Sequence, residues 1–106
     1  MPTFVLMTRL APAAIKDAPG RRAMGKEWLK KVKRSCPRVR FRGHYAILGP
    51  YDFMDIYDAP DIETAHRVSL ISRAEGALAA ESWQALPYDE FLKVLDEVQP
   101  AKRKSR

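Results

Sequence analysis

The stretch Val39-Arg40-Phe41-Arg42-Gly43-His44-Tyr45-Ala46-Ile47-Leu48-Gly49-Pro50-Tyr51-Asp52-Phe53-Met54-Asp55-Ile56-Tyr57 decides the fold. Two runs rich in aromatic and β-branched residues flank Gly49-Pro50-Tyr51-Asp52, and proline suits the second position of a β-turn. The pattern predicts a hairpin of strands over 39–48 and 53–57. A two-residue turn at Pro50-Tyr51 pairs Gly49 with Asp52, Ile47 with Met54 and Tyr45 with Ile56. Strand side chains alternate between faces, so the hairpin sorts by parity. One face carries Val39, Phe41, Tyr45, Ile47, Met54 and Ile56, and its apolar character predicts that it lies under helices. The other carries Arg38, Arg40, Arg42, His44, Ala46, Phe53, Asp55 and Tyr57, a mixture suited to a dimer interface with a polar pocket or to a ligand site. In this register His44 sits opposite Tyr57 and Asp55 is diagonal to it. A shift of the turn by one residue pair would leave the sorting intact.

Upstream of the hairpin, 4–9 reads as a strand and 10–20 as a connection with a short helical turn at 13–16. A helix over 21–35 follows, with Met24, Trp28 and Val32 as its apolar stripe and Arg22, Lys26, Lys30 and Lys33 opposite. Cys36-Pro37 ends it, because the residue before a proline avoids the α region. Downstream, Asp61 is a good N-cap for a helix running to about Ala74, and Gly76 is a natural stop. A weaker strand over 78–86 precedes a last helix over 88–98, with Phe91, Leu92, Leu95 and Val98 on one face. The order β-α-β-β-α-β plus a C-terminal helix is the ferredoxin-like α+β arrangement, in which two crossover helices cover one face of a four-stranded antiparallel sheet. The other face needs a partner in so short a chain.

At 106 residues, 46% hydrophobic and 30% charged, the chain reads as one domain over 1–98 with a basic disordered tail over 99–106. These proportions exclude a disordered chain, a disulfide scaffold and a membrane span. The net charge of +6 is unevenly placed. Residues 16–42 hold eleven Lys and Arg against Asp17 and Glu27, whereas 59–98 hold three basic and eight acidic residues. The start of the chain lacks a signal-peptide pattern and Cys36 is the single cysteine, so a cytoplasmic protein is expected.

Met1-Pro2-Thr3-Phe4-Val5-Leu6, Leu48-Gly49-Pro50-Tyr51-Asp52-Phe53 and Ala59-Pro60-Asp61 resemble the GYD-domain family over roughly residues 2–92, with the signature here as Gly49-x-Tyr51-Asp52. The resemblance implies a ferredoxin-like fold of the dimeric α/β-barrel superfamily, where two sheets pair into a barrel; the family's biochemical role is mostly uncharacterised. The Arg-rich second strand, Asp55 at a typically apolar position and the basic tail depart from the usual pattern.

His44 is the best acid–base candidate, since imidazole titrates near neutrality and Asp55 shares its face. Tyr51 and Asp52 read either as turn-forming residues or as a pair at a pocket mouth. With Arg9 and Tyr57 they are the candidate ligand contacts. His66 is expected on the surface. Trp28 and Trp83 read as packing between helix and sheet. Basic neighbours should lower the pKa of Cys36, but no nearby histidine in sequence offers a base, so an incidental thiol is expected. No metal-ligand spacing, phosphate loop or cofactor motif is present.

The sequence therefore predicts a homodimer, paired through its open sheet face, that binds a small molecule near Arg9, His44, Tyr51 and Asp55. One alternative is a cofactor-independent enzyme, monooxygenase- or isomerase-like, with His44 as base and Asp55 as its orienter. Another is a nucleic-acid-associated protein using Arg22, Lys26, Lys30 and Lys33. That one is disfavoured because the aromatic pairs of an RNA-binding sheet are absent from the expected strands.

Overall fold

A computed structural model describes residues 1–99, and of the expected basic tail all but Gln99 lies outside the described residues. The element order is β1 (Thr3–Leu10), a 3-10 turn (Pro12–Ala14), α1 (Ala18–Ser35), β2 (Arg40–Ala46), β3 (Phe53–Asp58), α2 (Ile62–Ala74), β4 (Ala77–Ala85) and α3 (Tyr88–Val98). The strands form one antiparallel sheet in the order β2-β3-β1-β4, so the ferredoxin-like α+β fold read from the sequence is the fold of the protein. No described helix is long and apolar enough to cross a membrane.

Local chemistry sets the helix bounds. The Asp17 carboxylate accepts from Gly20 N at 2.9 Å, so α1 starts three residues earlier than its apolar stripe indicates. Lys33 and Arg34 in its last turn favour the negative helix end. Asp61 accepts from both Thr64 N (2.8 Å) and Thr64 Oγ1 (2.6 Å), with Glu63 in the first turn of α2. These bonds hold the Asp61 carboxyl below its usual range. Past the end of α2, Gly76 takes φ +114°, and a Cβ there would also crowd Ala14 and Met24.

The hairpin differs from the two-residue turn of the sequence reading. Ile47 N donates to Asp52 O at 3.0 Å, leaving four residues in the loop. The register therefore moves by one pair: His44 faces Asp55, Tyr45 faces Met54 and Ala46 faces Phe53. A bulge between Phe41 and Gly43 then carries Phe41 across to the face of Tyr57.

The assignment of faces is reversed. Tyr57, with Phe4 and Leu6 from the neighbouring strand, lies under the helices and packs with Val32 of α1 and Val68 of α2 in the buried cluster. Tyr57 is 0% exposed, and its ring sits 5.5 Å from Phe4 and 5.7 Å from Phe41. By parity, Met54, Ile56 and Tyr45 share the open face with Val5 and Met7. The physical reason is volume. Three aromatic rings and Leu6 fill the space beneath two helices better than the unbranched and β-branched set opposite, and the polar residues of the same face find partners.

Of the two tryptophans, Trp28 packs between α1 and the sheet as expected, 5.3 Å from Phe41, and donates to Ser72 Oγ at 2.8 Å. Trp83 does not: it stands on the open face, 48% exposed. Cys36 is a buried thiol whose pKa burial pushes up, not down. The sequence counted charges near Cys36 without the desolvation that outweighs them. Helix α3 stands away from the sheet and from α1 and α2; the molecule measures 64 Å along its longest axis against 30 and 18 Å.

Candidate functional site

Between α1 and the sheet lies a cavity of about 350 Å³. Met24, Gly25, Trp28 and Leu29 form its helical wall, Phe41, His44, Phe53 and Asp55 its sheet wall, and Ser72, Glu75 and Ala77 its end. The stripe Met24–Trp28–Val32 thus splits in role: Val32 is core, whereas the other two line space. Such a mostly apolar hollow with a few convergent polar groups has the size and character of a small-molecule site.

The polar centre is His44 Nδ1 against Asp55 Oδ1 at 2.5 Å. The one-pair register shift makes this contact, because it places the two residues directly opposite each other. Asp55 is 4% exposed, while the His44 side chain is 65% exposed and stacks on Phe53 at 5.6 Å. Burial pushes the Asp55 carboxyl above the ordinary 3.8, and the neighbouring imidazole only partly offsets it. With Asp55 ionised, Nδ1 is the donor, so Nε2 is the nitrogen left to accept or deliver a proton.

Other charges at the wall are mostly committed. Glu75 pairs with Lys31 at 2.5 Å. Arg21 donates to Ala14 O at 3.1 Å and lies 5.4 Å over the Phe53 ring. Lys26 lines the cavity without a partner among the described residues. With both carboxylates paired, the field inside favours an anion. Arg21, Lys26 and Glu75 were not in the sequence-derived pocket, since only tertiary packing brings a helix face over β2 and β3.

Asp55 carries a stability consequence. Its raised folded-state pKa means that its stabilising contribution is complete below about pH 4 and is lost as pH rises through the folded value. Asp55→Asn should therefore gain in melting temperature relative to wild type as pH rises from 4 to 7 in thermal scans. A difference that stays constant or shrinks over that range would contradict this.

The remaining site candidates lie elsewhere. Arg9 and Tyr51 belong to the open face, on the far side of the sheet from His44. The Arg9 guanidinium stands 5.5 Å over the Tyr51 ring, and its Nε donates to Pro50 O at 2.7 Å. Tyr51 OH and Trp83 Nε1 both donate to the Glu81 carboxylate, at 3.1 and 2.9 Å, and their rings meet edge to face. The hydrogen bond to Glu81 pushes the Tyr51 phenol up. Glu81 and Trp83 were missed because the weak β4 pattern gave no sign of which face they take. Asp52 holds backbone: its Oδ2 accepts from Leu10 N at 2.7 Å.

Tyr57, expected as a ligand contact, has its ring in the core, and burial pushes its phenol up to about 12. The single pocket of Arg9, His44, Tyr51 and Asp55 is thus two clusters on opposite faces, because the intervening strand parity separates them. Arg22, Lys30 and Lys33 are exposed on α1, where Lys30 approaches Glu27 at 4.0 Å. Among the described residues, no three of His, Cys, Asp or Glu cluster where they could hold a metal ion.

A ferredoxin-like α+β protein with a His–Asp pair at the wall of a half-open cavity and one bare sheet face is the class these features define. The GYD domain model matches residues 4–95, and the chain belongs to the GYD-domain family. It is 30% identical over 95 residues, 87% of this chain and 96% of the relative, to a protein of Thermus thermophilus called glutamine synthetase and cystathionine beta-lyase binding protein. No solved structure matches.

Proposed function

We propose that the protein is a cytoplasmic homodimeric accessory protein, folded as one domain over residues 1–98, that binds a small anionic molecule in the cavity at His44. The cavity carries this reading: its walls are apolar, its two carboxylates are paired, and His44 and Lys26 remain for an acid head group. A planar carboxylate such as benzoate has the matching chemistry, with its ring between Trp28 and Phe53 and its oxygens toward His44. The relative from Thermus is named for binding two enzymes, which supports a role exercised through protein contacts. The open face supports self-association, since Val5, Met54, Ile56 and the half-exposed Trp83 would otherwise meet water together.

Gly25 offers a test. It lines the cavity, and a Cβ added there would meet nothing within 4 Å. Gly25→Leu should fill the cavity without strain and improve α1 by about 0.5–1 kcal/mol, as replacing a mid-helix glycine does. Calorimetric titration with benzoate should give one saturable site per protomer in wild type and none in Gly25→Leu. Equal binding by both proteins would refute the cavity as the site.

A second reading, a cofactor-independent enzyme, is favoured by the His44–Asp55 geometry. In it Nε2 takes a proton from a bound substrate and Asp55 stabilises the resulting imidazolium. His44→Ala would then abolish turnover while leaving the solution mass unchanged.

A further inference from the structure

Edge strand β4 turns Ala80, Ser82 and Gln84 toward the helices, because they pair with Thr8, Leu6 and Phe4 of β1. Two of the three are polar on the face that an antiparallel sheet ordinarily keeps apolar. Helix α2 meets this strand with Ala65 and Ser69. Short side chains on both elements leave space between them, and a second hollow of about 340 Å³ opens there, apart from the His44 cavity. Phe4, Ala65 and Ala80 make its buried floor, and Ile62 and Leu70 its exposed rim.

A chain of three hydroxyls leads from the core to this hollow. Tyr57 OH lies 2.7 Å from Ser82 Oγ, which in turn lies 2.7 Å from Ser69 Oγ. Each hydroxyl has one hydrogen to give, so the chain runs in a single direction. Tyr57 is fully buried, and Ser82 is the partner of its hydroxyl among the described residues. The reverse direction would bury the phenolic hydrogen without an acceptor. Tyr57 therefore donates to Ser82 and Ser82 to Ser69, which leaves the Ser69 hydrogen for the hollow. Ser72 of the same helix, by contrast, spends its hydrogen on Val68 O at 2.9 Å. Arg73, one turn beyond Ser69, and Gln84 line the hollow too. Arg73 is the one arginine or lysine in the lining, and no carboxylate belongs to it among the described residues.

We propose that the hollow between α2 and β4 is a second ligand site, which takes a short aliphatic monocarboxylate. Arg73 and the Ser69 hydroxyl hold its carboxylate, the Gln84 amide adds a donor, and its tail lies on Phe4, Ala65 and Ala80. A wall of donors without a carboxylate selects an acceptor group. One guanidinium matches one negative charge, and the second charge of a dicarboxylate or a phosphate dianion would lose water without gaining a partner. Each hydrogen bond of the Tyr57–Ser82–Ser69 chain polarises the next, which makes Ser69 a stronger donor than an isolated serine. The two hollows differ in the acid they suit. Aromatic rings wall the His44 cavity, whereas the apolar lining here is mostly aliphatic. Helix α2 divides them, with Ser72 toward one and Ser69 toward the other.

Titration of the 15N-labelled full chain with isovalerate tests this. The amide signals of Ser69, Arg73 and Gln84 should shift saturably, while those of His44 and Phe53 stay in place. Arg73→Gln and Ser69→Ala should each weaken binding by about 10- to 100-fold, the range for losing a hydrogen bond to a charged group. Arg67→Gln removes a cation of the same helix that lies outside the lining, and it should leave the affinity unchanged. Isoamylamine, with the same tail and an ammonium head, should give no saturable shift. Equal shifts with isoamylamine would mean that the tail alone binds, and an equal loss in Arg67→Gln would mean diffuse attraction to charge; either overturns the site. Saturable shifts at His44 and Phe53 in place of Ser69 and Arg73 would also overturn it and leave the first cavity as the binding site. Absence of any saturable shift with isovalerate, alongside binding of benzoate at His44, overturns the second site alone.

Discussion

Replacing Tyr57 by alanine should destabilise the protein by about 3–5 kcal/mol, the range for removing a fully buried aromatic ring. Tyr57 is 0% exposed, is the largest of the fully buried side chains, and joins Phe4 and Phe41 to Val32 and Val68. A chain of this size has about 5–15 kcal/mol in total, so the variant should be largely unfolded in mild urea. Tyr57→Phe should cost only about 1 kcal/mol. It keeps the ring and loses one hydrogen bond to Ser82, whose hydroxyl retains Ser69 as a partner. Urea unfolding followed by circular dichroism reads both values. If Tyr57→Ala cost less than about 1 kcal/mol, as expected of a side chain on the open face, the reversal of the two sheet faces would be wrong.

Trp83→Ala should weaken self-association by about 30- to 1000-fold, equivalent to about 2–4 kcal/mol for loss of a central aromatic anchor. Trp83 is half-exposed in the protomer, and Glu81 and Tyr51 hold its orientation. It sits beside Val5, which it faces across β1 and β4. Truncation should therefore leave the fold intact and act on the pairing of sheets. Sedimentation equilibrium over a range of concentrations gives the constant. An unchanged dimer in Trp83→Ala would place the interface elsewhere.

The sequence carried the fold well because its signals were local. Asp61 marked the start of α2, Ala74 and Gly76 its end, and the apolar stripe of α3 gave that helix its observed bounds. The dyad was half legible. Parity put His44 and Asp55 on one face, and only the register decided whether they met. That register depended on a four-residue loop closed by Ile47 and Asp52, for which a Gly-Pro-Tyr-Asp turn signal is equally good at two lengths. Parity also fixes which residues share a face without saying which face is covered. The apolar set Tyr45–Met54–Ile56 looked like core, but the side bearing Tyr57 and Phe53 won because Asp55 and His44 satisfy each other there. A buried carboxylate in a strand breaks the local pattern, and such breaks concentrate at functional sites. The bulge at Phe41/Gly43 had no sequence signal beyond the glycine itself.

The site at His44 is tested most directly by nuclear magnetic resonance of the imidazole during titration with benzoate. Saturable shifts of the His44 ring signals are expected together with those of Phe53 and Trp28, while Tyr51 and Trp83 on the opposite face stay unmoved. Shifts confined to Tyr51 and Trp83, or none at His44 at saturating benzoate, would contradict a ligand site in this cavity.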